Sequence, residues 1–294
     1  MNPSAIEKER TSLVALLVGP DPLTPSKARL AATDRTYSEL LEDRAGSAAD
    51  DQRQAARDRI KQWESDGTSF LTVLDSAYPA QLHDIHNCPL YIFARGTLMP
   101  AGTRDFGVSL VGSRNAAPWA LEAARAIAHE LSANGVTVVS GLAAGIDSAA
   151  HTAALEAGGR TVGIIGTGIR NHYPAANARL QQQVAERGLL ISQFLPDDGP
   201  ARHHFPMRNT VMSGYSAVTI VVQASESSGT RHQVREAVKH GRPVILSASV
   251  ADGTTWGRQF AADPLNNVFV ARDERDALRL AQQATHPALP RMIA

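Results

Sequence analysis

The chain has 294 residues and a hydrophobic fraction of 43%, enough for one large domain, or a large and a small one, with a full core. Lysine plus arginine (29) equals aspartate plus glutamate (29), which argues against binding nucleic acid by bulk charge; such a ligand needs placed residues. No apolar run approaches the roughly 20 residues of a membrane span, the first residues carry no signal-peptide core, and the single Cys88 offers neither a disulfide framework nor zinc spacing. The expectation is a cytoplasmic protein with no membrane partner, no metal and no cofactor.

Residues 1–66 read as helical. Leu13, Leu16 and Leu17 form one apolar cluster, and Leu40 and Leu41 another. Gly19-Pro20-Asp21-Pro22 breaks the first segment, and 44–64 is charged and alanine-rich around Ile60 and Trp63. Residues 70–74 and 90–94 read as strands, with Tyr78-Pro79 and Cys88-Pro89 between them. From Phe106 onward apolar runs recur at 107–111, 136–140, 161–165, 189–192, 218–222, 244–246 and 268–270. Helix-length segments at 119–133, 148–157, 177–187 and 229–240 separate them. This alternation predicts an α/β fold, a mostly parallel sheet with helices on both faces. The last residues, with Pro287 and Pro290, read as a tail.

In such a fold ligands bind beyond the carboxyl ends of the strands, so the turns that follow strands carry the most weight. After the run at 107–111 comes Gly112-Ser113-Arg114-Asn115: close backbone approach, a hydroxyl and a guanidinium fork suited to phosphate. After 136–140 come Ser140-Gly141 and Gly145-Ile146-Asp147. Asp147 and His151 stand four apart and could form an acid–base pair. The stronger reading makes Asp147 the helix N-cap and His151 an anchor to nearby backbone, both structural, and no catalytic residue is expected.

Gly166-Thr167-Gly168-Ile169-Arg170-Asn171 nearly matches the dinucleotide fingerprint. Asn171 stands where the third glycine belongs and Tyr173-Pro174 delays the helix, so NAD binding is not expected. His203-His204-Phe205-Pro206-Met207-Arg208-Asn209 offers a ring and a guanidinium able to stack on or grip nucleotides. Its plainer reading is a helix start, and the adjacent histidines cannot easily share a metal. Ser225 to Thr230, with Ser228-Gly229 at its end, is another anion-ready entry to a helix. One such loop is weak evidence; several at one sheet edge are stronger.

These residues resemble, in order, the DNA-processing protein A family (DprA, also called Smf). The resemblance rests on Gly112-Ser113-Arg114, the stretch Ser140 to His151, Ala157-Gly158-Gly159, Tyr173-Pro174 with Asn177, Phe205-Pro206 with Arg208-Asn209, and Ser228-Gly229. Upstream, Tyr78-Pro79 with Leu82, and Pro89-Leu90-Tyr91 up to Arg95-Gly96, also fit. It covers about residues 70–245. It implies an extended Rossmann-like domain at 67–285, a small helical, SAM-like domain at 1–66 ahead of it, and a tail at 286–294. It also implies a homodimer that binds and protects single-stranded DNA in a basic pocket, helps load RecA in natural transformation or recombination, and is not an enzyme.

Carried onto this chain, the pocket residues are Ser113, Arg114, Ser140, Gly141, Phe205, Arg208 and Asn209, with Arg114 and Arg208 on phosphate and Phe205 as a stacking face. Gly112, Gly166, Gly168, Ser228, Gly229 and Thr230 complete the candidate set. The chain departs from the family at Gln193 and Gln223, where acids are usual, and at Ser247-Ala248-Ser249, where Pro-Gly is usual. Its last stretch is too short for the winged-helix domain some members carry.

An alternative is a nucleotide sensor or defence protein of the wider Rossmann-like group. Cytokinin-activating phosphoribohydrolases in that group place a Glu after a Gly-Thr loop. Here Gly229-Thr230-Arg231-His232-Gln233 lacks the acid, so hydrolysis is not expected. A third alternative is an interaction protein using the α-helical surface of Glu122, Arg125 and Glu130. A continuous groove around Arg114 and Arg208 would favour a strand; a closed pocket would favour a mononucleotide.

Overall fold

The computed structural model describes residues 3–285; the expected tail at 286–294 lies outside them. Four helices open the chain: α1 (Pro3–Val18), α2 (Pro25–Ala31), α3 (Tyr37–Ala45) and α4 (Ala49–Glu64). Strands β1 (Ser69–Thr72) and β2 (Tyr91–Gly96) follow. The alternating part then runs β3 (Gly107–Gly112), α5 (Pro118–Ala133), β4 (Val138–Ser140), α6 (Ile146–Glu156), β5 (Thr161–Ile164), α7 (Ala178–Arg187), β6 (Leu189–Ser192), α8 (His204–Tyr215), β7 (Ser216–Gln223), α9 (Thr230–Lys239), β8 (Val244–Ser247), α10 (Ala248–Gly253), α11 (Thr255–Ala262), β9 (Val268–Ala271) and α12 (Glu274–Thr285).

One nine-stranded sheet has the order β1-β2-β6-β5-β4-β3-β7-β8-β9. The strands from β3 to β9 pair in parallel, as the buried β-branched runs predict. β1 and β2 extend the same sheet antiparallel, through β2 against β6. The chain winds outward from β3 through β4 and β5 to β6, then returns to place β7 on the other side of β3. The gap between the carboxyl ends of β3 and β7 is therefore the topological switch point, where parallel α/β sheets take ligands.

The pleat sorts the core. Val108, Leu110 and Val138 face α5, α6 and α12, whereas Val111, Val139, Val162 and Ile164 face the opposite layer containing α8 and α9. The amino-terminal helices do not keep a core to themselves. Leu16, Leu41, Ile60 and Trp63 pack in one cluster with Phe70, Phe93, Ile165 and Leu190 of the main sheet. Trp63 stands 5.1 Å from both Phe70 and Phe93, ring centre to ring centre. Arg10 donates to the Phe70 carbonyl (2.7 Å) and the Phe70 N–H donates to Glu64 (3.3 Å), so side chains of the helical module cover the free edge of β1. Thr36 and Glu39 form a reciprocal capping box that starts α3 within this module.

Candidate nucleic-acid interface

The turn after β3 is fixed by backbone on both sides. Ser113 N–H donates to the Gln223 carbonyl at 2.7 Å, and the Ser113 carbonyl accepts from Ile146 N–H at 3.2 Å. Gly112 permits this approach: a Cβ there would stand 2.7 Å from the Gln223 carbonyl oxygen and from Ile146 Cγ1. Arg114 projects from this clamped turn into solvent. Among the described residues its guanidinium has no hydrogen-bond or ion-pair partner; it lies 5.4 Å over the Phe205 ring. Gln223 uses its Oε1 to accept from Ala117 N–H (2.9 Å), at the entry to α5, a bond that a neutral amide makes without adding negative charge beside Arg114.

The turn after β4 is more constrained. Leu142 is fully buried with φ 56°, a left-handed conformation costly for a branched side chain. Asp147 Oδ2 accepts from Gly141 N–H (3.2 Å) and Ala143 N–H (3.4 Å), and Asn177 donates to the Leu142 carbonyl (2.9 Å), so the strained residue is held on three sides. Asp147 is thus not the N-cap expected from sequence. Gly145, at φ 79°, occupies that position, and the Asp147 carboxylate reaches back to the turn, where two closely spaced backbone donors are available.

Arg208 of α8 lies across this turn. Its Nη1 donates to the Ile164 carbonyl (3.1 Å) and stands 3.9 Å from Asp147 Oδ2. A Cβ on Gly141 would fall inside the guanidinium, so the absence of a side chain at 141 makes Arg208's place. Both ions of the pair are buried. Burial pushes the Asp147 carboxyl up and the Arg208 guanidinium down, each countered only in part by the other. Arg208 Nε is buried with no acceptor among the described residues.

Phe205 covers Gly166, where a Cβ would come within 2.9 Å of the ring, and meets Tyr173 at 5.6 Å with a 43° tilt. On the β7 side, Asn209 reaches the Gly229 carbonyl at 3.4 Å. The Ser228 hydroxyl donates to Thr230 Oγ1 (2.9 Å), which donates to the Gly112 carbonyl (3.4 Å), so these hydroxyls tie the two turns together.

The result is a pair of adjoining cavities of about 430 Å³ and 120 Å³ that share Arg114, Ala143, Phe205 and Arg208. The larger is also lined by Gly112, Ser113, Asn209, Ser228, Gly229 and Thr230; the smaller by Gly141, Gly166 and Tyr173. Ser140 and Gly168 line neither. Ser140 is fully buried and donates to the Leu110 carbonyl (2.7 Å), while Gly168 packs against the carbonyls of Leu195 and Pro196. Tyr173, Asn115 and Ser225, which stand in the motifs read from sequence but outside the candidate set, also line the groove. The Tyr173-Pro174 pair within the family resemblance is the available sequence signal for Tyr173.

His151 is fully buried, with Nδ1 2.7 Å from Thr161 Oγ1, and its ring also interacts with the Ser140 backbone. The Thr161 hydroxyl donates to the Val138 carbonyl, so it accepts from the imidazole. Burial pushes His151 down to about 3, and the folded protein keeps it neutral. Its contribution to stability is therefore fully present above the ordinary histidine value and is lost as pH falls from there toward 3. Between pH 6.5 and 4.5 the loss is about 2 kcal/mol from this residue. Urea unfolding at the two pH values should show a markedly shallower pH dependence for His151→Asn; an unchanged slope removes the assignment.

Residues 69–262 match the sequence family described as DNA recombination-mediator protein A. DNA processing protein DprA of Bacillus subtilis is 35% identical over 185 residues, covering 62% of this chain and 61% of that protein. The DprA protein of Streptococcus pneumoniae is 36% identical over 187 residues, covering 63% and 65%. The matched stretch thus spans less than two thirds of either relative. The X-ray structure of the Streptococcus pneumoniae protein superimposes with a TM-score of 0.70 at 26% identity over 95% of this chain and 98% of that one. A Helicobacter pylori structure, described as showing a single-stranded DNA binding mode of DNA processing protein A, shares the fold. Its TM-score is 0.63 at 22% identity, over 74% of this chain and 97% of that one.

Proposed function

The chain belongs to the DNA recombination-mediator protein A family, and on that premise we propose that it binds single-stranded DNA along the groove at the β3–β7 switch point and performs no chemistry on it. The observation that carries the reading is the junction of the two cavities. Among the described residues Arg114 is exposed and has no hydrogen-bond or ion-pair partner, Arg208 is buried and undercompensated, and Phe205 lines both cavities with them. A phosphate beside the guanidinium groups supplies the missing charge compensation, and Phe205 and Tyr173 offer stacking faces, each worth about 1–3 kcal/mol per base. Two joined basins suit successive nucleotides better than one closed pocket suits a single nucleotide. The DNA-binding mode described for the Helicobacter pylori protein supports the same reading.

The measurement is the affinity for oligo-dT as a function of salt. Arg114→Ala should weaken binding about tenfold and reduce the log–log salt slope by about 0.7, the share of one phosphate on a single strand. Unaltered affinity and slope would move the strand elsewhere, and calorimetric binding of a mononucleotide without oligo-dT binding would favour the sensor alternative. A homodimer that delivers its strand to a RecA recombinase belongs to the same proposal. Sedimentation as a monomer, or failure of the DNA complex to retain the recombinase, would remove those parts.

A further inference from the structure

Arg170 is cationic and close to the groove in sequence, yet it turns away from it. Its Nε donates to Asp66 Oδ2 at 2.8 Å, its Nη1 meets Asp197 at 3.0 Å, and its Nη2 reaches the carbonyls of Gln62 and Trp63 at 3.5 Å. Gln62 and Trp63 lie in the last turn of α4, and Asp66 lies between α4 and β1. The guanidinium therefore ties the turn after β5 to the end of the helical module. That turn is otherwise held by Gly168 N–H to the Asp198 carbonyl (2.7 Å) and Arg170 N–H to the Pro196 carbonyl (3.0 Å). Gly166, at its start, is the floor on which Phe205 rests, and Tyr173 and Pro174 follow at its end as walls of the smaller cavity.

We infer that Asp66 and Arg170 are positioning residues for the stacking face, and that the helical module is thereby a working part of the groove rather than a separate appendage. The inference rests on the single-strand reading above. Asp66 holds Arg170, Arg170 holds the turn, and the turn sets the level of Gly166 beneath Phe205. Asp66 is strongly acidic in this setting, held down to about 2 by its hydrogen bonds from Arg170 and Thr68 and the nearby Arg95 charge, which together outweigh burial. It is ionised at any pH at which DNA would be bound.

Charge and positioning predict opposite signs for one substitution. Asp66→Asn removes a negative charge near a polyanion, which on electrostatics alone tightens binding. If Asp66 positions the turn, the same change weakens oligo-dT binding, about three- to tenfold as stacking geometry loosens, with the salt slope unaltered. Arg170→Met should do the same and Arg170→Lys should recover part of the loss. Arg95→Met breaks the other ion pair of Asp66 (2.5 Å), which holds the end of β2 and not the turn, and should leave affinity within about twofold. Hydrogen exchange of the Gly168 and Arg170 amides should accelerate in Asp66→Asn and Arg170→Met and stay unchanged in Arg95→Met. Equal or tighter binding by Asp66→Asn, while the unaltered chain binds, overturns this inference only. A fall in salt slope for Arg170→Met overturns it in favour of a direct phosphate contact. Failure of the unaltered chain to bind overturns the reading beneath it, and this inference with it.

Discussion

Arg208→Met is expected to lower stability by about 3–5 kcal/mol, a large effect for one side chain, because it leaves the buried Asp147 carboxylate without its counter-ion. The Ile164 carbonyl also loses its donor. The cost belongs to the stranded charge more than to the lost contact, which is long at 3.9 Å. Arg208→Met with Asp147→Asn should therefore be far more stable than the single variant, since a neutral amide can still accept from Gly141 or Ala143. Chemical denaturation of the two singles and the double provides the cycle; additive losses would mean that the ions do not interact. Oligo-dT binding should be lost in both Arg208 variants, because neither restores a cation to the groove.

Gly141→Ala is the second large effect. A single methyl group is normally tolerated on a turn, and the backbone of Gly141 is not in the left-handed region. Here the added Cβ lands in the space of the Arg208 guanidinium, so the arginine must move and give up both Ile164 and Asp147. The expected loss is about 2–4 kcal/mol of stability together with most of the oligo-dT affinity. Gly141→Ala added to Arg208→Met should cost little more, because the clash is gone. An affinity within about twofold of the parent for Gly141→Ala would show that Arg208 does not contact the strand in its observed position.

The strand runs from residue 107 onward were legible because a buried parallel strand must be apolar and β-branched throughout, and each of those runs is a strand here. Sequence also located the groove, because small and polar residues after strand ends have little packing reason to recur. It did not show that β1 and β2 join the main sheet antiparallel, since pairing between distant segments leaves no local periodicity. Asp147 looked like a cap because its spacing from the helix start was right. Its partners were settled by the left-handed turn at Leu142, which spacing alone does not reveal. The family resemblance puts Ser140 in the pocket, yet its hydroxyl turns inward to the Leu110 carbonyl. Gly168 has the spacing of a phosphate-type loop, and it is a glycine for packing against the Leu195 and Pro196 carbonyls instead.

The pairing of β3 with β7 also sets when the groove can come into being. Gly107↔Ser216 through Gly112↔Gln223 joins segments separated by more than a hundred residues, with β4, β5 and β6 between them in the chain. A ribosome-bound chain that has released β3 through β6 already carries Arg114, Gly141 and Gly166, but Phe205, Arg208 and the opposite bank have yet to arrive. Closure of this long loop is entropically late, so the cleft is among the last features to assemble, and a chain stopped before Ser216 would hold every lining residue of the smaller cavity and most of those of the larger one without their shape.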